Sequence, residues 1–181
     1  PPATLAPDAL ARARAAIREI VSVASHPFLR HPAFPDEQDE MTGLYVPVDF
    51  EPVWFEGARP RPQARDAIGV LREADTRGLS PADDDVTRLE SWLAEAASGR
   101  GLAPAEIGRL DAALSLLFMR HLSDVHVGRV DPRSVKVAFD VEPRKYVLPE
   151  VVRDAVARNR VRAAVEEAEP ALEQYRRLKA A

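Results

Sequence analysis

One run of sequence limits the possible folds more than any other. Between about Pro104 and Val125, the residues Ile107, Leu110, Leu114, Leu117, Phe118, His121 and Leu122 share one side of a helix, while Leu116 and Met119 fall elsewhere. A helix that is apolar on several sides is normally surrounded by other helices. The spacing therefore predicts a central element in an all-α body: a single irregular bundle of about seven helices. At roughly 1.5–3 kcal/mol per fully buried large apolar side chain, this cluster supplies much of the driving force for the core.

The flanking segments supply partners for that helix. Asp8 to about Ser25 carries Ile17, Ile20, Val21 and Ala24 at helical spacing, with Asp8 expected to cap its start. "SHPFLRHPAFPDEQDE" follows, with three prolines and no period, and reads as an irregular surface loop. Its acidic end is either a solvated strip or the first turn of a short helix through Leu44-Tyr45. After Pro60 and Pro62, the residues Ala64, Ala67, Ile68, Leu71 and Ala74 share a face. Gly78 then suits a left-handed helix end. Ser80 suits the next N-cap and Pro81 the first helical position, ahead of a stripe of Val86, Leu89, Leu93 and Ala96 with Trp92 beside it. Val135 to Val141 alternates with period two and predicts one short extended segment. Pro149, Val152, Ala155 and Val156 mark another helix, with a break near Asn159. Pro170 opens a last helix carrying Leu172, Tyr175 and Leu178.

Composition excludes several functions. The chain has 181 residues, no cysteine and a formal net charge of −4. Disulfides, thiolate metal sites and a thiol nucleophile are therefore out of reach, and there is no basic footprint for nucleic acid. No apolar run is long enough to span a membrane. Pro1-Pro2-Ala3-Thr4 shows no charged-then-apolar leader, so any signal peptide is expected to have been removed ahead of it.

The residues that invite chemistry have simpler readings. His121, Asp124 and His126 suggest a metal site, but i to i+3 shares a helical face whereas i+5 points roughly the opposite way. A capped helix end with one half-buried His is the expected arrangement. His26 and His31, each followed by proline, read as ordinary loop residues. Asp83-Asp84-Asp85 lacks the alternation of a calcium loop and is expected to oppose the dipole of a helix N-terminus. Glu166-Glu167 and the arginines Arg153, Arg158, Arg160, Arg162, Arg176 and Arg177 read as solvated surface. No residue is expected to catalyse a reaction, ligate a metal or hold a cofactor.

Five ordered fragments are more specific than composition: "LYVPVDFEPVWFEG" from Leu44, "GLSPADD" from Gly78, "LDAALSLLFMRHL" from Leu110, "GRVDP" from Gly128, and the closing "YRRLKAA". Together they resemble the N-terminal helical scaffold domain of the long, multidomain L,D-transpeptidases of bacterial periplasms. Pro52-Val53-Trp54 stands for that family's Pro-x-Trp, while Ser115 and Leu116 replace the acidic centre of its Leu-rich helix. The resemblance divides the chain into an N-terminal helix and Pro-rich loop over residues 1–43 and a helical scaffold domain over 44–181. It implies a non-catalytic, periplasmic domain in cell-wall biogenesis. Its partners would be the peptidoglycan-binding and catalytic modules of the parent enzyme, whose reaction uses a cysteine that this chain lacks. The last helix, with Leu172, Tyr175 and Leu178, would be the docking boundary. Two other readings compete: a stand-alone helical cell-envelope protein that recognises peptidoglycan or an assembly partner, and a metal-dependent helical enzyme built on His121 and His126.

Overall fold

Proline, rather than a capping side chain, opens most of the helices. The computed structural model describes residues 5–77, 85–98, 101–127 and 146–169. Among these it places α1 (Pro7–Val23), α2 (Gln38–Tyr45), β1 (Phe55–Glu56), β2 (Arg59–Pro60), α3 (Pro62–Arg72), α4 (Val86–Ala97), α5 (Pro104–Val127), α6 (Leu148–Ala157) and α7 (Val161–Ala168). Pro7, Pro62 and Pro104 each occupy a first helical position, where a missing N–H costs nothing, and Pro149 lies second in α6. Asp8 does not cap α1: Ala6 holds that position, and the Asp8 carboxylate lies in the first turn, where it opposes the helix dipole. At the start of α5, Glu106 Oε accepts the Ala103 N–H at 2.9 Å, half of a capping box.

The architecture is all-α, with seven helices among the described residues and one two-residue antiparallel ladder. Phe55 pairs with Pro60 and Glu56 with Arg59, and Gly57 takes φ +61° in the turn between them. The segment read as extended, Val135 to Val141, lies outside the described residues.

Central α5 packs against α1, α3, α4, α6 and α7. Its Leu110, Leu114, Leu116, Leu117, Phe118, Met119 and Leu122 are all buried, as the all-round apolar pattern requires. The α1 crossing is the closest. A Cβ built on Gly108 would stand 2.3 Å from the Ala13 carbonyl oxygen, so only glycine permits this approach. The faces expected for α3 and α4 are the buried ones: Ala64, Ala67, Ile68 and Leu71 in the first, Val86, Leu89, Leu93 and Ala96 in the second.

Two expectations are corrected here. A helix running unbroken from a Ser80 cap is interrupted at Asp85, whose φ of +50° forces α4 to begin at Val86. Residues 78–84, including Gly78, Ser80, Pro81 and Asp83, lie outside the described residues. The Pro-rich segment after α1 is not simply a surface loop, because Leu29 and Phe34 are buried in the core. Ala24, at φ +47°, ends α1, and Ser25 bridges to Ala33. Arg120 of α5 fixes the far side, donating to Glu37 Oε at 2.8 Å and to the carbonyls of His31 and Ala33. The break near Asn159 is as expected: that residue sits at φ +54° between α6 and α7.

Candidate functional site

Four polar residues are buried among the described residues, and three of them, Asp111, Ser115 and His121, come from the fragments that carried the family resemblance. Asp111 and Ser115 lie one turn apart on α5, Tyr45 ends α2, and Val53-Trp54 lead into β1. The Tyr45 hydroxyl donates to Asp111 Oδ1 at 2.6 Å, while the Val53 and Trp54 N–H groups donate to the same carboxylate at 3.0 and 2.7 Å. Trp54 Nε1 donates to Ser115 Oγ at 2.9 Å. A tyrosine carries one hydroxyl proton, already given to Asp111, so the 2.7 Å contact between Tyr45 and Ser115 has Ser115 as donor. The direction is thus fixed along the relay, from Trp54 through Ser115 and Tyr45 to Asp111.

Electrostatics matches this geometry. Burial pushes the Asp111 carboxyl up to about 6, although its three donors oppose the shift. Burial and the neighbouring Asp111 carboxylate together drive the Tyr45 phenol well above its ordinary value. The Trp54 ring meets Phe118 edge-on at 5.5 Å, so this corner is closed from both sides. Every polar group here is consumed in tying the α2–β1 connection to α5. The arrangement holds this part of the fold together.

A second group surrounds His121. The residue is fully buried, and neither ring nitrogen has a hydrogen-bond partner among the described residues. Burial, reinforced by the Arg77 guanidinium, lowers its pKa to about 4, so it is neutral at pH 7. Arg77 itself donates to Glu169 at 2.9 Å in an ion pair that is largely buried. His126 stacks on Tyr146 at 4.3 Å and its Nδ1 lies 3.4 Å from the Ala168 carbonyl. The expected single half-buried His at a helix end is therefore a fully buried His121 and a half-buried His126, with α5 continuing to Val127. Among the described residues, no group of three or more His, Asp or Glu side chains could hold a metal ion.

The third group lies where the Pro-rich segment meets α4 and α5. His26, read as an ordinary loop residue, is fully buried. Its Nε2 donates to the Arg109 carbonyl at 2.9 Å, which fixes the proton on that nitrogen and leaves Nδ1 to accept the Phe28 N–H at 3.4 Å. The signal was present only as a histidine beside proline, with nothing to show that α5 would pass beneath it. Above His26 opens a cleft of about 520 Å³, lined by Phe28, Trp92, Arg88, Arg109, Glu95 and Glu106 among others. His31 stays exposed.

Of the carboxylate run, Asp85 accepts the Arg30 N–H, and Asp83 and Asp84 lie outside the described residues. The arginines read as solvated surface are partly engaged within the fold. Arg162 pairs in a fork with Glu73 at 2.8 and 2.9 Å, Arg153 donates to the Gly43 carbonyl at 2.6 Å, and Arg160 pairs with Glu167. The docking boundary expected at Leu172, Tyr175 and Leu178 lies outside the described residues, as do Arg176 and Arg177.

Comparison with known families bears on the same fragments. The model of the family described as "Scaffold domain" matches residues 39–181. This chain belongs to the scaffold-domain family. No curated protein and no solved structure matches it. The match includes all four side chains of the Tyr45–Asp111–Ser115–Trp54 relay, which is therefore internal to the scaffold domain. Helix α1, His26 and Phe28 precede the matched region. No helix among the described residues is long and apolar enough to cross a membrane.

Proposed function

We propose that this scaffold domain is the non-catalytic part of a periplasmic L,D-transpeptidase, where it positions peptidoglycan-binding and cross-linking modules in cell-wall biogenesis. One observation carries the reading: the fragments resembling that enzyme group, Tyr45 and Pro52-Val53-Trp54 with the Leu110–Leu122 helix, converge on one buried relay whose polar groups all serve the fold. A rigid body held in this way suits the fixing of other modules. The acyl-enzyme chemistry of that group needs a thiolate, and this chain has no cysteine.

Two measurements test the reading. The purified chain, incubated with disaccharide-tetrapeptide muropeptides, should yield neither cross-linked nor trimmed product. The encoding reading frame should continue into a module with a Ser-x-Gly-Cys motif. Turnover by the chain alone, or a frame without such a module, overturns the proposal.

A further inference from the structure

Helices α4 and α5 carry charge in an ordered way where they face the 520 Å³ cleft. Arg88 and Arg109 lie at one end: Arg88 donates to the Phe28 carbonyl, and the Arg109 guanidinium stands over the Phe28 ring, 5.9 Å from its centroid. Glu95 lies two turns further along α4 than Arg88, an axial distance of about 10 Å at 1.5 Å per residue. Glu106 on α5 is offset from Arg109 by one turn. Trp92 lies between the two ends and meets Phe28 edge-on, with ring centroids 5.4 Å apart.

These groups are not neutralised by one another. Neither Arg88, Arg109 nor Glu95 forms an ion pair among the described residues, and the Trp92 indole N–H bonds to none of them. Phe28 remains 41% exposed, one of only a few large apolar side chains in that state among the described residues. The volume falls within the range of clefts that hold small ligands, with aromatic walls and a few placed polar groups. His26 beneath the cleft locks the Phe28 backbone to α5, so the aromatic wall is set before any ligand arrives.

We propose that this cleft binds an extended peptide segment with a carboxylate and an ammonium about 10 Å apart and an apolar side chain between them. The carboxylate lies against Arg88 and Arg109, the apolar group on the wall formed by the edge-on Phe28–Trp92 pair, and the ammonium near Glu95 and Glu106. In a polyproline II-like extended chain, with three residues per turn and about 3.1 Å per residue, side chains three residues apart share one face about 9 Å apart, so the two charges belong at that spacing. Phe28 precedes the matched residues 39–181 while Arg88, Trp92, Glu95, Glu106 and Arg109 lie within them, and the site does not depend on the function proposed above.

The full chain can be titrated with fluorescently labelled acetyl-Asp-Leu-Leu-Lys-amide and followed by anisotropy. Tryptophan fluorescence gives a second readout, because Trp54 is fully buried and Trp92 alone reports on the cleft. Expected is saturable binding that weakens about tenfold with acetyl-Asn-Leu-Leu-Gln-amide, and about tenfold in R109Q and in E95Q. Glu95 is exposed and its carboxylate bonds to no described residue, so E95Q reads binding without touching the fold. Equal affinity for the neutral peptide, no saturation below about 1 mM, an unchanged affinity in E95Q, or displacement of the peptide by a chitooligosaccharide would overturn the assignment.

Discussion

The Tyr45 hydroxyl and the Asp111 carboxylate, 66 positions apart in sequence, meet at 2.6 Å in the centre of the bundle. Their contact joins the end of α2 to the middle of α5. Burying an ionised carboxylate is costly unless several donors surround it, and here three do. Y45F removes one donor and leaves the carboxylate short. Urea unfolding should show a loss of about 1.5–3 kcal/mol, the range for hydrogen bonds to charged groups. In D111N the same Tyr45→Phe change should cost less, because the acceptor is then neutral. Equal costs in the two backgrounds would rule out the charged pair as the source.

Gly108 tests the closeness of the α1–α5 crossing. Alanine is the better helix former by about 1 kcal/mol in a free helix. Here its Cβ would stand 2.3 Å from the Ala13 carbonyl oxygen, and backbone is a poor yielding partner. G108A should therefore destabilise by about 2 kcal/mol or more, seen as a lowered thermal midpoint. A midpoint at or above the parent's would mean that the helices are not in such contact.

Acid sensitivity follows from the two buried histidines. The folded-state pKa of His121 is lowered to about 4 and that of His26 is also lowered, both chiefly by burial. The unfolded chain then takes up protons more readily below about pH 6.5, so stability is full above that pH and falls as the pH drops towards 4. For His121 the loss reaches about 3 kcal/mol once both states are protonated. Asp111 acts in the opposite sense: its pKa is raised to about 6, so its burial weakens the fold as the pH rises from about 4 to 6. H121L should flatten the decline in urea midpoint between pH 7 and pH 4.5, and it removes two buried nitrogens that have no partner among the described residues. An unchanged pH profile in H121L would show that His121 is not the sensor.

The Arg77–Glu169 pair sits beside that histidine. Its side chains are only 8% and 15% exposed, so losing the guanidinium leaves a largely buried carboxylate without this cation. R77M should cost roughly 3–5 kcal/mol, the range for breaking a buried ion pair. It should also raise the His121 pKa, since Arg77 helps to hold it down, though burial keeps it below the ordinary value. NMR titration of the histidine ring reads the second effect independently of stability. A His121 pKa unmoved in R77M would contradict the placement.

Local pattern alone determined a good deal of this protein. The all-round apolar run of α5 announced a central helix, prolines marked helix starts, and period placed the buried faces of α3, α4 and α6. These are properties of neighbouring residues on one helix, and they survive any tertiary arrangement. The ordered fragments also revealed the scaffold-domain kinship. Only the tertiary structure showed why those fragments go together: Tyr45, Trp54, Asp111 and Ser115 are distant in sequence, and no period connects a tyrosine ending one helix to a carboxylate inside another. The same holds for His26 under the cleft and for Asp85, whose positive φ shortens α4 despite an inviting cap upstream. Burial and hydrogen-bond partners are supplied by whatever chain segment arrives from elsewhere. The sequence could therefore tell which residues would be inside, but not which of them would meet.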